Sequence, residues 1–322
     1  MSKSSPRIRF AFLISAFFAV SIGIWIFKFA ETPPWHSSQT TPSAKPGSPV
    51  QIASENHNPE PFRFLNHNVR NWLISSQTSE KKPESKAAII RIISNASPDV
   101  VGLCEIGSEN DVSEIQSLLK NAGLNLPHTH YTGGIDPVRH LAIISKYPII
   151  SSENPEIAIL GNSNFSMQRG ILDVTVRIGS QPVRFIGLHL KSKRVVPQFN
   201  EALLRAEEAQ HVRKYIDSIL TKDPAAKLVL YGDFNDHIRS PSTRALLGTY
   251  RSPTYLTPVS LKDSRGETWT HFYDAHDTYS RIDFIAVSKS LRSRIDRKQS
   301  FIIDDAEWNL ASDHRALLVT FK

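Results

Sequence analysis

The chain has 322 residues, 40% of them apolar and 21% charged, with a formal net charge of +7. That balance supplies a sizeable core and excludes a wholly disordered chain, and the length suits two domains or one large sandwich or α/β unit. The single cysteine, Cys104, excludes an intramolecular disulfide and reads as a small buried hydrophobe among apolar neighbours, while the positive charge suits a polyanionic substrate or an anionic membrane surface.

Lys3, Arg7 and Arg9 precede an uncharged run over residues 10–27. A run of about 18 apolar residues is long enough to cross a bilayer as a helix. Cations before it and few after it predict an N-terminus held inside and an exported remainder. Lys28 stands where a signal-peptide cleavage site needs a small residue, so an uncleaved anchor over residues 1–30 is expected, with a secreted protein as the outcome if it is cut. Residues 31–60 carry Pro33, Pro34, Pro42, Pro46, Pro49 and Pro59 among Ser and Thr, the composition of an extended linker. Residues 61–322 are then the candidate folded domain.

Within that domain, strands and helices alternate. Residues 62–66 read as a strand, 84–97 as a helix stopped by Pro98, 99–104 as an apolar strand, and 112–121 as a helix closed by Gly123. Residues 141–145, 170–178 and 183–188 read as strands, the last two joined by a turn at Gly179-Ser180-Gln181-Pro182. The longest helix is expected over 198–220, with Leu203 among its core positions. Its charged residues Glu201, Arg205, Glu207, Glu208, Arg213 and Lys214 are expected in solvent. Strands over 227–231, 268–272, 282–287, 300–303 and 315–321 complete the chain. A two-sheet core with helices outside accounts for this mixture.

Polar residues recur where apolar strands stop: Asn68, Glu105, His189, and Asp233 with Asn235. A strand that ends on such a residue delivers it to the rim of a sheet. In Gly232-Asp233-Phe234-Asn235 the carboxylate can accept a proton from water and the amide can donate to a phosphoryl oxygen, and Gly232 is expected to let substrate approach the backbone. Glu105 is costly to bury unpaired, and a hard cation such as Mg2+ would compensate it. Lys191, Ser192, Lys193 and Arg194 follow His189 as a basic loop suited to phosphate. Near the C-terminus Asp313 and His314 are adjacent and should serve different partners, metal and phosphate, with Asp283 orienting the His314 ring.

The ordered set Asn68, Glu105, His189, Gly232-Asp233-Phe234-Asn235, Arg281-Ile282-Asp283 and Ser312-Asp313-His314 resembles the endonuclease/exonuclease/phosphatase superfamily, the pancreatic-deoxyribonuclease-like fold. The resemblance covers about residues 61–322 and extends to Ala142-Ile143-Ile144-Ser145-Lys146-Tyr147-Pro148-Ile149 and Arg169-Gly170-Ile171-Leu172. It implies a four-layer α/β/β/α sandwich with the active site at one edge of two packed sheets. It further implies Mg2+, with Mn2+ or Ca2+ as substitutes, held mainly by Glu105 and supported by Asn68 and Asp313. Asp233 would deprotonate the attacking water, Asn235 orient the phosphate, His314 with Asp283 stabilise the transition state, and His189 polarise phosphate or protonate the leaving oxygen.

Some repair nucleases of this family carry a second carboxylate two residues after the asparagine. Asn68-Val69-Arg70 is closer to the secreted deoxyribonucleases, and Arg70 is a candidate phosphate contact. The stretch from Trp269 to Arg281 looks like a bacterial extracytoplasmic branch, with Tyr279 and Arg281 near enough in sequence to touch substrate and Trp269 expected in the core. A membrane-anchored, extracytoplasmic nuclease, periplasmic or extracellular, is therefore the leading expectation, with no obligate protein partner. A phospholipid or sphingolipid phosphodiesterase is the rival, to be judged by exposed apolar groups or cations on the loops after Asn125 and around Val195. A non-catalytic tethered binding domain ranks third, since every expected catalytic position is filled.

Overall fold

The computed structural model describes residues 59–73, 80–132, 134–153, 155, 166–195, 197 and 199–322. The expected anchor, and the linker apart from Pro59 and Glu60, lie outside these residues. Among the described residues no helix is long and apolar enough to cross a membrane.

The first half runs β1 (Phe62–Trp72), α1 (Pro83–Ala96), β2 (Val100–Ile106), α2 (Glu109–Asn121), β3 (His128–Thr132) and β4 (His140–Ser145). Next come β5 (Ile149–Glu153), β6 (Ile171–Ile178), β7 (Gln181–His189), α3 (Glu201–Lys222), β8 (Leu228–Asp233) and α4 (Pro241–Leu247). The remainder comprises β9 (Thr257–Pro258), β10 (His271–Tyr273), β11 (Thr278–Ser280), β12 (Asp283–Val287), α5 (Lys289–Arg292), β13 (Ile295–Ile302), α6 (Trp308–Ala311) and β14 (Leu317–Phe321).

Local chemistry sets the helix limits. Pro83 opens α1 where its missing N–H is not needed, and Ser97 closes it in the left-handed conformation ahead of Pro98. Ser108 and Asp111 form a reciprocal capping box for α2. The Asn200 side chain accepts from the N–H groups of Ala202 and Leu203 at the start of α3.

Two six-stranded sheets result, in the orders β13-β14-β1-β2-β4-β3 and β5-β6-β7-β8-β12-β9. Each is mixed, with one parallel pair: β1 with β2, and β7 with β8. A parallel pair needs a crossover connection, and α1 and α3 provide it. Phe62, Phe64, Leu141, Phe185, Tyr231 and Val319 belong to a buried cluster shared by the two sheets. A second cluster joins α1 and α2 to the first sheet, and a third joins α3 and α4 to the second. The layers therefore run helices, sheet, sheet, helices.

Three local readings change. Arg205, Glu208 and Arg213 of α3 are buried, not solvated, because each satisfies backbone of a segment packed against the helix. Arg205 donates to Lys191 O (3.0 Å), Glu208 accepts from Lys191 N (2.7 Å), and Arg213 donates to Leu246 O (2.9 Å). Leu203, expected in the core, is 63% exposed. The strand expected over 268–272 is replaced by β10 over His271–Tyr273, while the Thr270 hydroxyl donates to Asp283 and Trp269 lies under the Arg315 guanidinium, 4.0 Å from its ring centre.

Candidate active site

Both parallel pairs aim their C-terminal ends at one rim. Asn68 is in register with Cys104, one residue before Glu105, and His189 is in register with Asp233. On its other side Asp233 pairs with Asp283 at the start of β12. Ser312 ties in the last segment by donating its hydroxyl to Asn68 O at 2.8 Å. Residues separated by up to 246 positions thus share one polar cluster.

The focus of that cluster is Asp233 Oδ2. Asn68 Nδ2 lies 3.1 Å from it, His189 Nε2 3.5 Å and His314 Nε2 3.8 Å. The other oxygen of Asp233 accepts the backbone N–H of Asn235 at 2.8 Å. Burial, then the nearby Asp283 charge, raises the Asp233 pKa. His314 Nδ1 lies 2.8 Å from Asp283 Oδ2. Burial alone would lower its pKa, but the carboxylates of Asp283, Asp233 and Asp313 together outweigh burial and raise it. Burial together with the Arg169 and His314 charges pushes His189 well down, so its imidazole is neutral.

Asp283 is itself held. Thr270 Oγ1 donates to Asp283 Oδ2 at 2.7 Å and accepts from the N–H groups of Ile282 and Asp283, both at 3.1 Å. Thr270 falls within the strand expected over 268–272, and nothing in that expectation marks its hydroxyl.

Glu105 stands in the left-handed region at φ 66°, as do Arg70, Asn71 and Asn235 at 49°, 56° and 52°. Such conformations cost roughly 1–3 kcal/mol each and cluster at functional sites. The bulge at Arg70 and Asn71 has a visible use, because Asn71 N donates to Glu105 Oε2 at 3.1 Å. Glu105 Oε1 accepts from Asn68 Nδ2 at 3.3 Å. The nearest cation is Arg139, whose Nε stays 3.7 Å from Glu105 Oε2. Arg70 Nε lies 3.4 Å from Asp313 Oδ2 at the rim.

The donor chemistry fits a hard divalent cation: the Glu105 and Asp313 carboxylates are oxygen ligands of the kind Mg2+ takes, while Asn68 supports Glu105 through its amide nitrogen and gives its Oδ1 to the Arg70 N–H at 3.0 Å. Two other trios, His271–Asp313–His314 and Asp233–Asp283–His314, also have ligand atoms within 4.8 Å of one another. Both include His314, whose Nδ1 already lies 2.8 Å from Asp283 Oδ2.

Four candidates point elsewhere. Lys191 is buried and its ammonium donates to Ser192 O and Arg194 O, both at 3.1 Å. Arg281 donates to Val259 O at 3.2 Å and covers the Phe284 ring, so its guanidinium serves the β12 region. Tyr279 is half exposed but packs on Phe272 and Trp269. Asn235 spends its amide nitrogen on Leu190 O at 3.0 Å. Gly232 has φ 133°, and a Cβ there would lie 1.9 Å from Leu188 O. The close approach it permits is between β8 and β7, not between backbone and substrate.

The structure adds cations that were not singled out. Lys81 donates to Arg70 O at 3.3 Å, and burial lowers its pKa to about 8. Arg169, present in the Arg169-Gly170 word but given no role, is buried, donates to Leu190 O at 3.0 Å and pairs with Asp136 at 3.3 Å.

A model of the "Endonuclease/Exonuclease/phosphatase family" matches residues 54–307. Among curated proteins, a putative neutral sphingomyelinase of Drosophila melanogaster is 24% identical over 184 residues, 55% of this chain and 40% of its own length. The chain thus spans less than half of that relative. Among solved structures, an endonuclease/exonuclease/phosphatase family protein from Leptotrichia buccalis C-1013-b superposes with a TM-score of 0.59 at 17% identity, covering 81% of this chain and 99% of that one. The human Nocturnin catalytic domain with bound sulfate anion gives 0.58 at 16% identity over 81% and 94% of the two chains. Sphingomyelinase C from Streptomyces griseocarneus gives 0.56 at 15% over 82% and 100%. At these identities the structures share the fold with this chain.

Proposed function

The chain belongs to the endonuclease/exonuclease/phosphatase family, and is thereby a phosphoester hydrolase; from that premise we propose that it uses a divalent cation, Mg2+ first, to cleave phosphodiesters by water attack, as a nuclease acting outside the cytoplasm. The observation that carries the chemistry is the convergence of Asn68, His189 and His314 on one oxygen of Asp233. Asp233 takes the proton from the attacking water. Its raised pKa makes it a better base than an ordinary aspartate, and Asn235 fixes its orientation through the backbone N–H. His314, kept cationic by the carboxylates around it, faces the phosphoryl oxygens as negative charge accumulates on them. Neutral His189 donates an N–H hydrogen bond to phosphate, whereas protonating the leaving oxygen would need the imidazolium that its burial disfavours. Glu105, supported by Asn68, and Asp313 would hold the cation, which when bound supplies neutralisation of phosphoryl charge.

Nucleic acid is the first substrate reading, supported by the net charge of +7 and by Arg70, Lys81 and Arg139 around the site. A sphingolipid phosphodiesterase is the second, supported by Ile135 and Val195, 63% and 75% exposed, and by likeness to a putative neutral sphingomyelinase. The run at residues 10–27 would tether the enzyme to the inner or plasma membrane, which fractionation of cells expressing the full chain tests. A panel of DNA, RNA, sphingomyelin vesicles and inositol phosphates, each with Mg2+, tests the substrate. Turnover of DNA or RNA above the others is expected, and turnover of sphingomyelin alone would overturn the nuclease reading.

A further inference from the structure

Aromatic rings lead outward from the candidate site along the hairpin of β10 and β11. Phe272 is opposite Tyr279, His271 opposite Ser280, and Tyr273 opposite Thr278. Strand alternation therefore sends Phe272 and Tyr279 to one face, and His271 and Tyr273 to the other.

The first face is fixed to the domain. Phe272 packs on Tyr279 at 4.6 Å, Tyr279 on Trp269 at 4.8 Å, and Trp269 on Trp308 at 4.9 Å between ring centres. Arg315 covers Trp269 and is paired with Asp263 at 2.8 Å. The second face continues the catalytic cluster. The His271 ring is 4.5 Å from that of His314, and the Tyr273 ring follows 6.4 Å further on, within 19° of parallel to His271. Tyr273 is 50% exposed.

We infer that His271 and Tyr273 form a stacking platform for a nucleobase of single-stranded nucleic acid whose scissile phosphate lies at His314; this rests on the nuclease reading above. A base offers a flat π-face whatever its identity, so such rings hold successive nucleotides without reading sequence. Two features favour this occupant over a lipid surface. The rings on the open face, imidazole and phenol, have polar edges suited to a wet groove, while the indoles and phenyl ring are committed to the anchored face. Beside the platform, Arg70 pairs with Asp313 and Lys81 touches Arg70, which supplies positive charge for a polyanionic backbone.

The test compares an oligothymidylate with an equally long tetrahydrofuran oligomer, which keeps the phosphates and lacks the bases. Binding to the full chain is read by fluorescence anisotropy in chelator, and cleavage is read separately with Mg2+. The wild type is expected to bind the base-bearing strand about tenfold more tightly or better. Tyr273→Ala should remove that preference without weakening the tetrahydrofuran complex, and Tyr273→Phe should keep it. Equal wild-type affinities, equal losses on both oligomers, or a defect of Tyr273→Ala seen only on sphingomyelin vesicles would overturn the platform. Cleavage of both oligomers without preference overturns the platform alone; cleavage of neither overturns the nuclease reading with it.

Discussion

Asp233, His314 and His189 are buried polar residues whose partners leave each in a different protonation state, and that difference is what acid-base chemistry requires. Replacing Asp233, His189 or His314 by alanine should each lower turnover by about 10²–10⁴-fold, with an unchanged far-ultraviolet circular dichroism spectrum. Near-normal turnover in any two of them contradicts the assignment. Thr270 reaches the chemistry only through Asp283. Thr270→Val should cost about tenfold in kcat, the equivalent of one buried hydrogen bond to a charged group. Metal affinity, read by calorimetry, should stay unchanged, and Thr270→Ser should restore the rate.

At the level of elements, two parallel pairs with helical crossovers bring four of the site residues to one edge. Gly232 lets β8 lie close to β7, so Gly232→Ala meets both a carbonyl contact and a conformation that disfavours a side chain. A loss of roughly 3 kcal/mol or more in urea unfolding is expected. In α3, burial raises the pKa of Glu208 from 4.5 to about 7. The folded state therefore binds that proton more tightly than the unfolded state does. The associated stability is fully present below pH 4.5 and is lost as pH rises through about 7. Glu208→Gln keeps an acceptor for Lys191 N and does not titrate. Its advantage over the wild type should grow between pH 5 and 8 towards a value on the order of 3 kcal/mol, read as a widening gap in Tm. A constant gap contradicts the burial of an ionising carboxylate there.

These elements were unequally legible. Apolar runs that stop at Glu105, His189 and Asp233 announced their strands, because burial on both faces leaves no room for polar residues until the rim. The burial of Arg205, Glu208 and Arg213 was not legible, since helical spacing cannot reveal that a loop and the end of α4 will lay their amides and carbonyls against a charged face. The strand β5, with Ser151, Ser152 and Glu153 exposed on an edge, lacks the apolar alternation that marks a half-buried strand. Asp283 was recognisable as the partner of His314, whereas Thr270 behind it required the contact itself.

Across the whole molecule, the order of short words joined distant residues into one site before any contact was visible, and the two sheets bring most of them to a single rim. Arg281, Lys191 and the Asn235 amide are exceptions, spent on backbone carbonyls, and so is Tyr279, packed on Phe272 and Trp269. Substrate choice was far less legible. The loops that were to decide it carry exposed Ile135 and Val195 and also the cations Arg139, Lys193 and Arg194, so it belongs to assays on nucleic acid and lipid. Dependence on a divalent cation is common to both readings. Its most direct test is the hydrolysis of a phosphodiester by the full chain, first in EDTA and then across a Mg2+ titration, beside the Glu105→Gln variant. Turnover should vanish in chelator, return with Mg2+ in the wild type, and return in Glu105→Gln only at much higher cation concentration or not at all. Turnover that persists in chelator, or a variant with the wild-type Mg2+ requirement, contradicts a hydrolase that holds its metal at Glu105.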